Sequence, residues 1–198
     1  GEVGGVRVRH IVAERVALSY DRVLEDRVLL KAGAAGTRKF EANIGRVMRA
    51  VVYQAWRRLR GRYRRFGTAA VSFGAPVSLR DMPGLAEDPD ALADTLMRRI
   101  ADIVPVLPVP LVAWILQREA MTRDALQDAF EACVARLEPP QVHLSNGDAR
   151  EAVEGAVRAL LGRGVLREIE GLLRIDPAHE TLASYYANSV RHLLDPGA

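Results

Sequence analysis

The stretch VALSYDRVLEDRVL, residues 16–29, alternates through Val16, Leu18 and Tyr20 and then breaks at once into Asp21, Arg22, Glu25, Asp26 and Arg27. Apolar residues at a period of two indicate a β-strand. The pattern therefore predicts a buried strand that leaves its sheet straight into a cluster of charges. Upstream, Val6 and Val8 alternate in the same way, so 6–23 reads as short strands. Downstream of a glycine-containing turn at 33–36, Phe40, Ile44, Val47, Val51, Ala55 and Leu59 recur at helical spacing and predict one long amphipathic helix ending near Gly67. The run TAAVSFG, 68–74, is β-rich and is closed by Gly74 and Pro76. Strand, helix, strand is the unit of an α/β sheet.

Beyond Pro83 the pattern is helical. Ala93, Leu96, Ile100 and Ile103 form one stripe, and Leu126, Phe130, Cys133 and Leu137 form a second that opens at Thr122, a good N-cap. Val153, Val157, Leu160 and Leu161 make a third, and Leu182, Tyr185, Ser189 and Leu193 a fourth. Between the last two, 165–167 and 172–175 flank Glu170 and Gly171 and predict a β-hairpin. The expected fold is thus an α/β part, residues 1–83, followed by a mainly helical C-terminal domain, 84–198, with a winged-helix-like hairpin, the boundary falling at 83–89.

Composition bounds the function. In 198 residues, 49% of them apolar, a sizeable core can form. The net charge of +3 comes from arginines, with only Lys31 and Lys39 as lysines, and argues weakly for anionic partners. Cys133 is the single cysteine, so neither a disulfide framework nor a thiolate metal site can be built, and a reducing compartment is the natural expectation. The four histidines are scattered with no carboxylate at ligand spacing, which gives metal catalysis no support. Starting at Gly1 without a signal-peptide core, the chain reads as a piece of something longer. The most apolar run, VPVLPVPLVAWIL at 104–116, is shorter than the ~20 residues of a spanning helix and contains Pro105, Pro108 and Pro110. It predicts a buried extended connector followed by a core helix, with a membrane-dipping loop as the other reading.

Charges just past a strand can meet a polar ligand or form a surface ion-pair cluster, and the residues leave both open. In WRRLRGRYRRF, 56–66, Trp56, Leu59, Tyr63 and Phe66 share one helical face while Arg57, Arg58, Arg60, Arg62, Arg64 and Arg65 spread over the rest. That is the pattern of an interfacial helix on anionic lipid; the alternative is a stripe packed on the protein's own sheet with solvated arginines.

Four stretches in order carry a family resemblance. VALSYDRVLEDRVLL is similar to the fourth conserved block of the membrane-associated, bacterial-type glycerol-3-phosphate acyltransferases, an apolar strand leading into Tyr-Asp-Arg-Val and acidic residues. AAVSFGAPVSLRD, 69–81, resembles the strand and Phe-Gly-x-Pro turn that follow it. VPVLPVPLVAWIL resembles the opening of the family's C-terminal region, and LASYYANSVRHLL, 182–194, its Tyr-Tyr-x-Asn-x-x-x-His-Leu segment. The resemblance covers nearly the whole chain. It implies an acyltransferase that moves a fatty acyl group from an acyl thioester, acyl carrier protein or coenzyme A, to the sn-1 hydroxyl of glycerol 3-phosphate in phospholipid biosynthesis. It also implies peripheral residence on the cytoplasmic face of the inner membrane, against an anionic surface, with no cofactor.

The family's catalytic histidine and aspartate, in a His-x-x-x-x-Asp block, act as general base and its orienting partner. The resemblance places that block upstream of this chain, so no catalytic residue is assigned here and the chain alone is expected to be inactive. Tyr20, Asp21 and Arg22 are the expected substrate contacts, with Arg22 nearest the phosphate. Where the family carries a proline before the apolar stretch, this sequence has Glu14 and Arg15. His143 and Asp148 do match His-x-x-x-x-Asp, but in the wrong place. Ser145 and Asp148 instead fit a capping box ahead of the third helical stripe.

A second class of function follows from 122–175, where helix, connector, helix and hairpin are the skeleton of a winged helix. Asp148, Glu151, Glu154, Glu168 and Glu170 accompany Arg150, Arg158, Arg163, Arg167 and Arg174, a near-neutral mixture that disfavours nucleic acid. A regulatory or protein-docking module fits that skeleton better. An incomplete sheet would also expose an edge, which predicts self-association.

Overall fold

The computed structural model describes residues 2–3, 6–7, 12–21, 48, 52, 56, 67–78, 84, 87–144 and 147–195. The chain forms two compact units, one of Gly1–Asp21 with Ala69–Ala198 and the other of Arg22–Thr68. This division is drawn elsewhere than at 83–89. Within the smaller unit the described residues Met48, Val52 and Trp56 are helical and exposed.

The larger unit begins with two-residue strands β1 (Glu2–Val3) and β2 (Val6–Arg7), paired antiparallel. Strands β3 (Val12–Tyr20) and β4 (Ala69–Ser78) form a two-stranded antiparallel ribbon in which Val16 faces Phe73, Leu18 faces Val71 and Tyr20 faces Ala69. The register shifts between Ala13 and Arg15, opposite the stretch that holds Pro76, where a residue without an N–H is tolerated.

The burial of this ribbon inverts the expected one. Ala17, Ser19 and Ala70 are buried, while Val16, Leu18, Tyr20, Val71 and Phe73 are exposed. Helix α1 (Pro89–Ala101), capped by Asp88 accepting from the Asp90 and Ala91 N–H groups, packs on β3. Small residues line the buried face beneath it, so the large apolar residues of both strands point the other way. Arg15 ties the two elements together: Nε donates to Ala75 O at 2.9 Å and Nη1 to Arg99 O at 3.1 Å. Gly74 makes room for that side chain, since a Cβ there would lie 2.9 Å from Arg15 Cζ.

The core is built around helix α2 (Pro108–Leu116), every residue of which is buried. It packs against α3 (Arg123–Val134), α4 (Ala149–Leu161) and α5 (Glu180–Leu194), as expected for a helix that is hydrophobic all round. The connector before it is buried from Pro105 and joins Val142 through a bridge at Val106, so this segment is the buried connector and core helix that the sequence suggests. Leu126, Phe130 and Cys133 of α3 and Val153, Val157 and Leu160 of α4 are buried, and Thr122 caps α3 by accepting from the Ala125 N–H.

Three details differ from expectation. The inward face of α5 is Leu182, Ala183, Tyr186, Ala187, Val190 and Leu194, leaving Tyr185 exposed, because small Ala183 and Ala187 allow close approach to α2. In α1, Ala93 is exposed and Leu92, Thr95, Leu96, Arg99 and Ile100 are half-buried. The N-cap of α4 is Asp148 itself, accepting from the Arg150 N–H; Ser145 lies outside the described residues.

The hairpin forms as predicted from β5 (Leu166–Ile169) and β6 (Leu172–Ile175). Its two-residue loop has Glu170 and Gly171 at φ 54° and 76°, the left-handed pair that a tight hairpin requires. Met121 bridges Leu173, which adds a short third segment to the hairpin just before α3.

Candidate functional site

Alternation continues past the end of β3, so Asp21 lies on the same face as Ala17 and Ser19 and turns inward. Its Oδ1 accepts the Val109 N–H at 3.2 Å. The bond follows from the composition of α2. Pro108 and Pro110 bring no N–H to the first turn, the Leu111 N–H reaches Leu107 O at 3.2 Å, and Leu107 offers no side-chain cap. The Val109 N–H is the donor that Asp21 satisfies, and the carboxylate also lies at the positive end of the helix dipole. Asp21 thus joins the exit of the ribbon to the central helix.

Of the other expected substrate contacts, Tyr20 is 48% exposed on the outer face of the ribbon, turned away from Asp21 along the strand, and Arg22 lies outside the described residues. Because β3 and β4 run antiparallel, the rule that ligands gather at the carboxyl ends of parallel strands does not place a site here. Of the membrane-surface residues, Trp56 is exposed and helical, and Arg57, Arg58, Arg60, Arg62, Arg64 and Arg65 lie outside the described residues.

Neither histidine near an aspartate has the geometry of a general base. The His143 backbone N–H donates to Val106 O, its Nε2 is buried without a hydrogen-bond partner, and Asp148 is committed to capping α4. His179 Nδ1 stands 3.7 Å from Asp176 Oδ2, but that carboxylate already receives Arg167 Nε at 2.6 Å and accepts the Ala178 N–H at 3.0 Å. The Ala178 N–H holds the Asp176 carboxyl below its ordinary value against the opposing effect of burial, with Arg167 assisting. Asp176 is a structural anion at the foot of the hairpin. Among the described residues no group of three histidine, cysteine, aspartate or glutamate side chains could hold a metal ion.

Ion pairs tie several surface elements of the helical part together. Arg123 at the start of α3 bonds Glu154 of α4 at 2.9 Å and Glu168 of β5 at 2.8 Å, and Arg118 bonds Asp195 at 2.7 Å while lying over the Trp114 ring. The Arg123 guanidinium draws the Glu168 carboxyl below its ordinary value. A further cluster went unnoticed in the sequence. Arg15, His192 and Gln141, from three separate segments, donate to Arg99 O, Ala101 O and Asp102 O at the end of α1. Side chains so placed complement the exposed carbonyls of a helix C-terminus. Long-range partners of this kind leave no local sequence signal.

Residues 52–198 match the family model of the glycerol-3-phosphate acyltransferase C-terminal region. The chain belongs to this family. Glycerol-3-phosphate acyltransferases of Pseudomonas paraeruginosa and Pseudomonas entomophila are each 26% identical to it, over 93% and 92% of the chain, and one from Pseudomonas putida strain W619 is 27% identical over 92%. The chain spans 24% of the length of each of these relatives. As a member of the glycerol-3-phosphate acyltransferase C-terminal region family, the chain carries a ribbon, a clamped helix and a helical core, with Asp21 holding ribbon and core together. No helix among the described residues is long and apolar enough to cross a membrane.

Proposed function

We propose that this chain is the supporting C-terminal part of an enzyme that transfers a fatty acyl group from an acyl thioester, acyl carrier protein or coenzyme A, to the sn-1 hydroxyl of glycerol 3-phosphate. The family match over 52–198 carries this reading. Acyl transfer needs a general base within hydrogen-bond reach of the attacking hydroxyl. His143 and His179 have no such disposition, and Asp148 and Asp176 are occupied in capping and ion pairing. The chain is on this reading a scaffold, inactive by itself, whose strand β3 ends at Tyr20, with Asp21 and Arg22 next in sequence. On this reading the enzyme serves phospholipid biosynthesis at the cytoplasmic face of the inner membrane, and Trp56 with its neighbouring arginines meets anionic lipid.

The test is acyl transfer from a labelled acyl thioester to glycerol 3-phosphate by the purified chain, with and without liposomes, beside a His143→Ala variant. No product in any sample is expected. Product that vanishes in His143→Ala would overturn the scaffold reading and make the chain a self-sufficient enzyme.

A second reading, a winged-helix-type protein-docking module without catalysis, is favoured by the bridge of Met121 to Leu173, which gives the hairpin a third segment ahead of α3 and α4. Arg123 and Arg167 are drawn into ion pairs with Glu154, Glu168 and Asp176, and the remaining arginines of these elements are interleaved with acidic residues such as Glu151 and Glu170, a mixture that favours a protein over a nucleic-acid partner.

A further inference from the structure

The ribbon buries the wrong face for a free-standing structure. Val16 and Leu18 are 42% and 50% exposed, Tyr20 48%, Val71 42% and Phe73 76%. Paired as Val16 with Phe73 and Leu18 with Val71, they form one continuous apolar surface, with Tyr20 beside Ala69 at its end. Taking ~200 Å2 for an exposed aromatic and somewhat less for an aliphatic side chain, the open area is about 500 Å2. A patch of that size on a soluble surface marks an interaction site. Within the described residues the ribbon has two strands.

We propose that the outer face of the β3–β4 ribbon is the docking surface for the acyltransferase portion that the full-length relatives carry outside the matched quarter. Two observations choose this occupant. First, the curated relatives align with 93% of this chain, which leaves too little out to omit either strand, yet the match accounts for 24% of their length. The same ribbon is thus joined in them to roughly three times as much further polypeptide. Second, about 500 Å2 falls short of the ~800 Å2 per partner of a stable independent complex, which disfavours a second copy of this chain. It suffices where covalent linkage supplies a high effective concentration. The inner face is already covered by α1, so covering the outer face completes a sheet with both sides packed.

The inference rests on the reading of the chain as part of an acyltransferase, and assembly is therefore measured apart from activity. The tagged chain is co-expressed with the Pseudomonas paraeruginosa relative from which the matched region has been removed, extracted in detergent, and captured by the tag. The expected result is co-purification that falls at least tenfold in Phe73→Asp and in Leu18→Asp, persists in Phe73→Leu, and is unchanged in Tyr185→Asp, an exposed control on α5. Circular dichroism of each variant checks that it is folded; the substituted side chains are exposed, so folded variants are expected. Absence of capture, or capture indifferent to Phe73→Asp, would overturn the proposal. So would a dimer of the chain alone that Phe73→Asp dissolves, or flotation with phosphatidylglycerol vesicles that Phe73→Asp abolishes. Capture without acyl transfer would sustain the docking surface and count against the enzymatic reading, and acyl transfer with capture insensitive to Phe73→Asp would do the reverse.

Discussion

Replacing Asp21 with alanine removes the acceptor for the Val109 N–H at the head of a helix whose every residue is buried. An N–H left unpaired in such a setting costs ~1–3 kcal/mol, and loss of an N-cap side chain typically ~1 kcal/mol. Asp21 is half-buried, so water partly replaces it, and about 2 kcal/mol is the reasonable figure. For a chain of this length that corresponds to a fall in Tm of about 4–8 °C. Asp21→Asn keeps an oxygen acceptor and loses only the favourable interaction of charge with the helix dipole, about 0.5 kcal/mol, or ~1–2 °C. The assay is thermal unfolding of the isolated chain by calorimetry, with no ligand present. A Tm for Asp21→Ala equal to that of the parent would refute the capping role and return Asp21 to the substrate contact implied by the family resemblance. Equal losses in Asn and Ala variants would refute the hydrogen-bond argument in particular.

Two more predictions concern the ribbon and the hairpin. Gly74→Ala displaces Arg15 from Ala75 O and Arg99 O and should cost ~1–2 kcal/mol, as should Arg15→Ala. The two act on the same contact, so the double variant should be little worse than either alone in urea unfolding, and additive losses would show that Gly74 does not serve Arg15. Asp176 and Glu168 have carboxyls held below their ordinary values, so their stabilisation is complete above the unfolded carboxylate range and is lost as pH falls below about 4. The Tm gap between the parent and Asp176→Asn should accordingly be widest near neutrality and close in acid; a gap independent of pH would contradict the account of Asp176 as an anion held by the Ala178 N–H and Arg167.

The legibility of the fold differed between its parts for a definite reason. Helix α3 could be read because Leu126, Phe130 and Cys133 recur at a helical period with Thr122 at the cap, and the hairpin because Glu170-Gly171 supplies the left-handed pair. Both are local signals. In α5 the periodicity marked a helix but placed the stripe one position away, since Ala183 and Ala187 are core residues by virtue of close packing rather than hydrophobic size. The ribbon misled most: alternation gave the strand, but a period of two cannot say which of its faces is covered.

The sequence by itself determined the helices and strands just named, the buried proline-rich connector, the absence of any cysteine framework and, through four motifs in order, the family. Those properties depend on neighbours along the chain. Tertiary structure alone decided that Asp21 caps α2 across 88 positions of sequence, that Arg15 and His192 meet at the end of α1 from 84 and 91 positions away, and that Val16, Leu18 and Phe73 face outward. Each of these depends on which surfaces approach one another in space, and the order of residues along a single chain does not encode that directly.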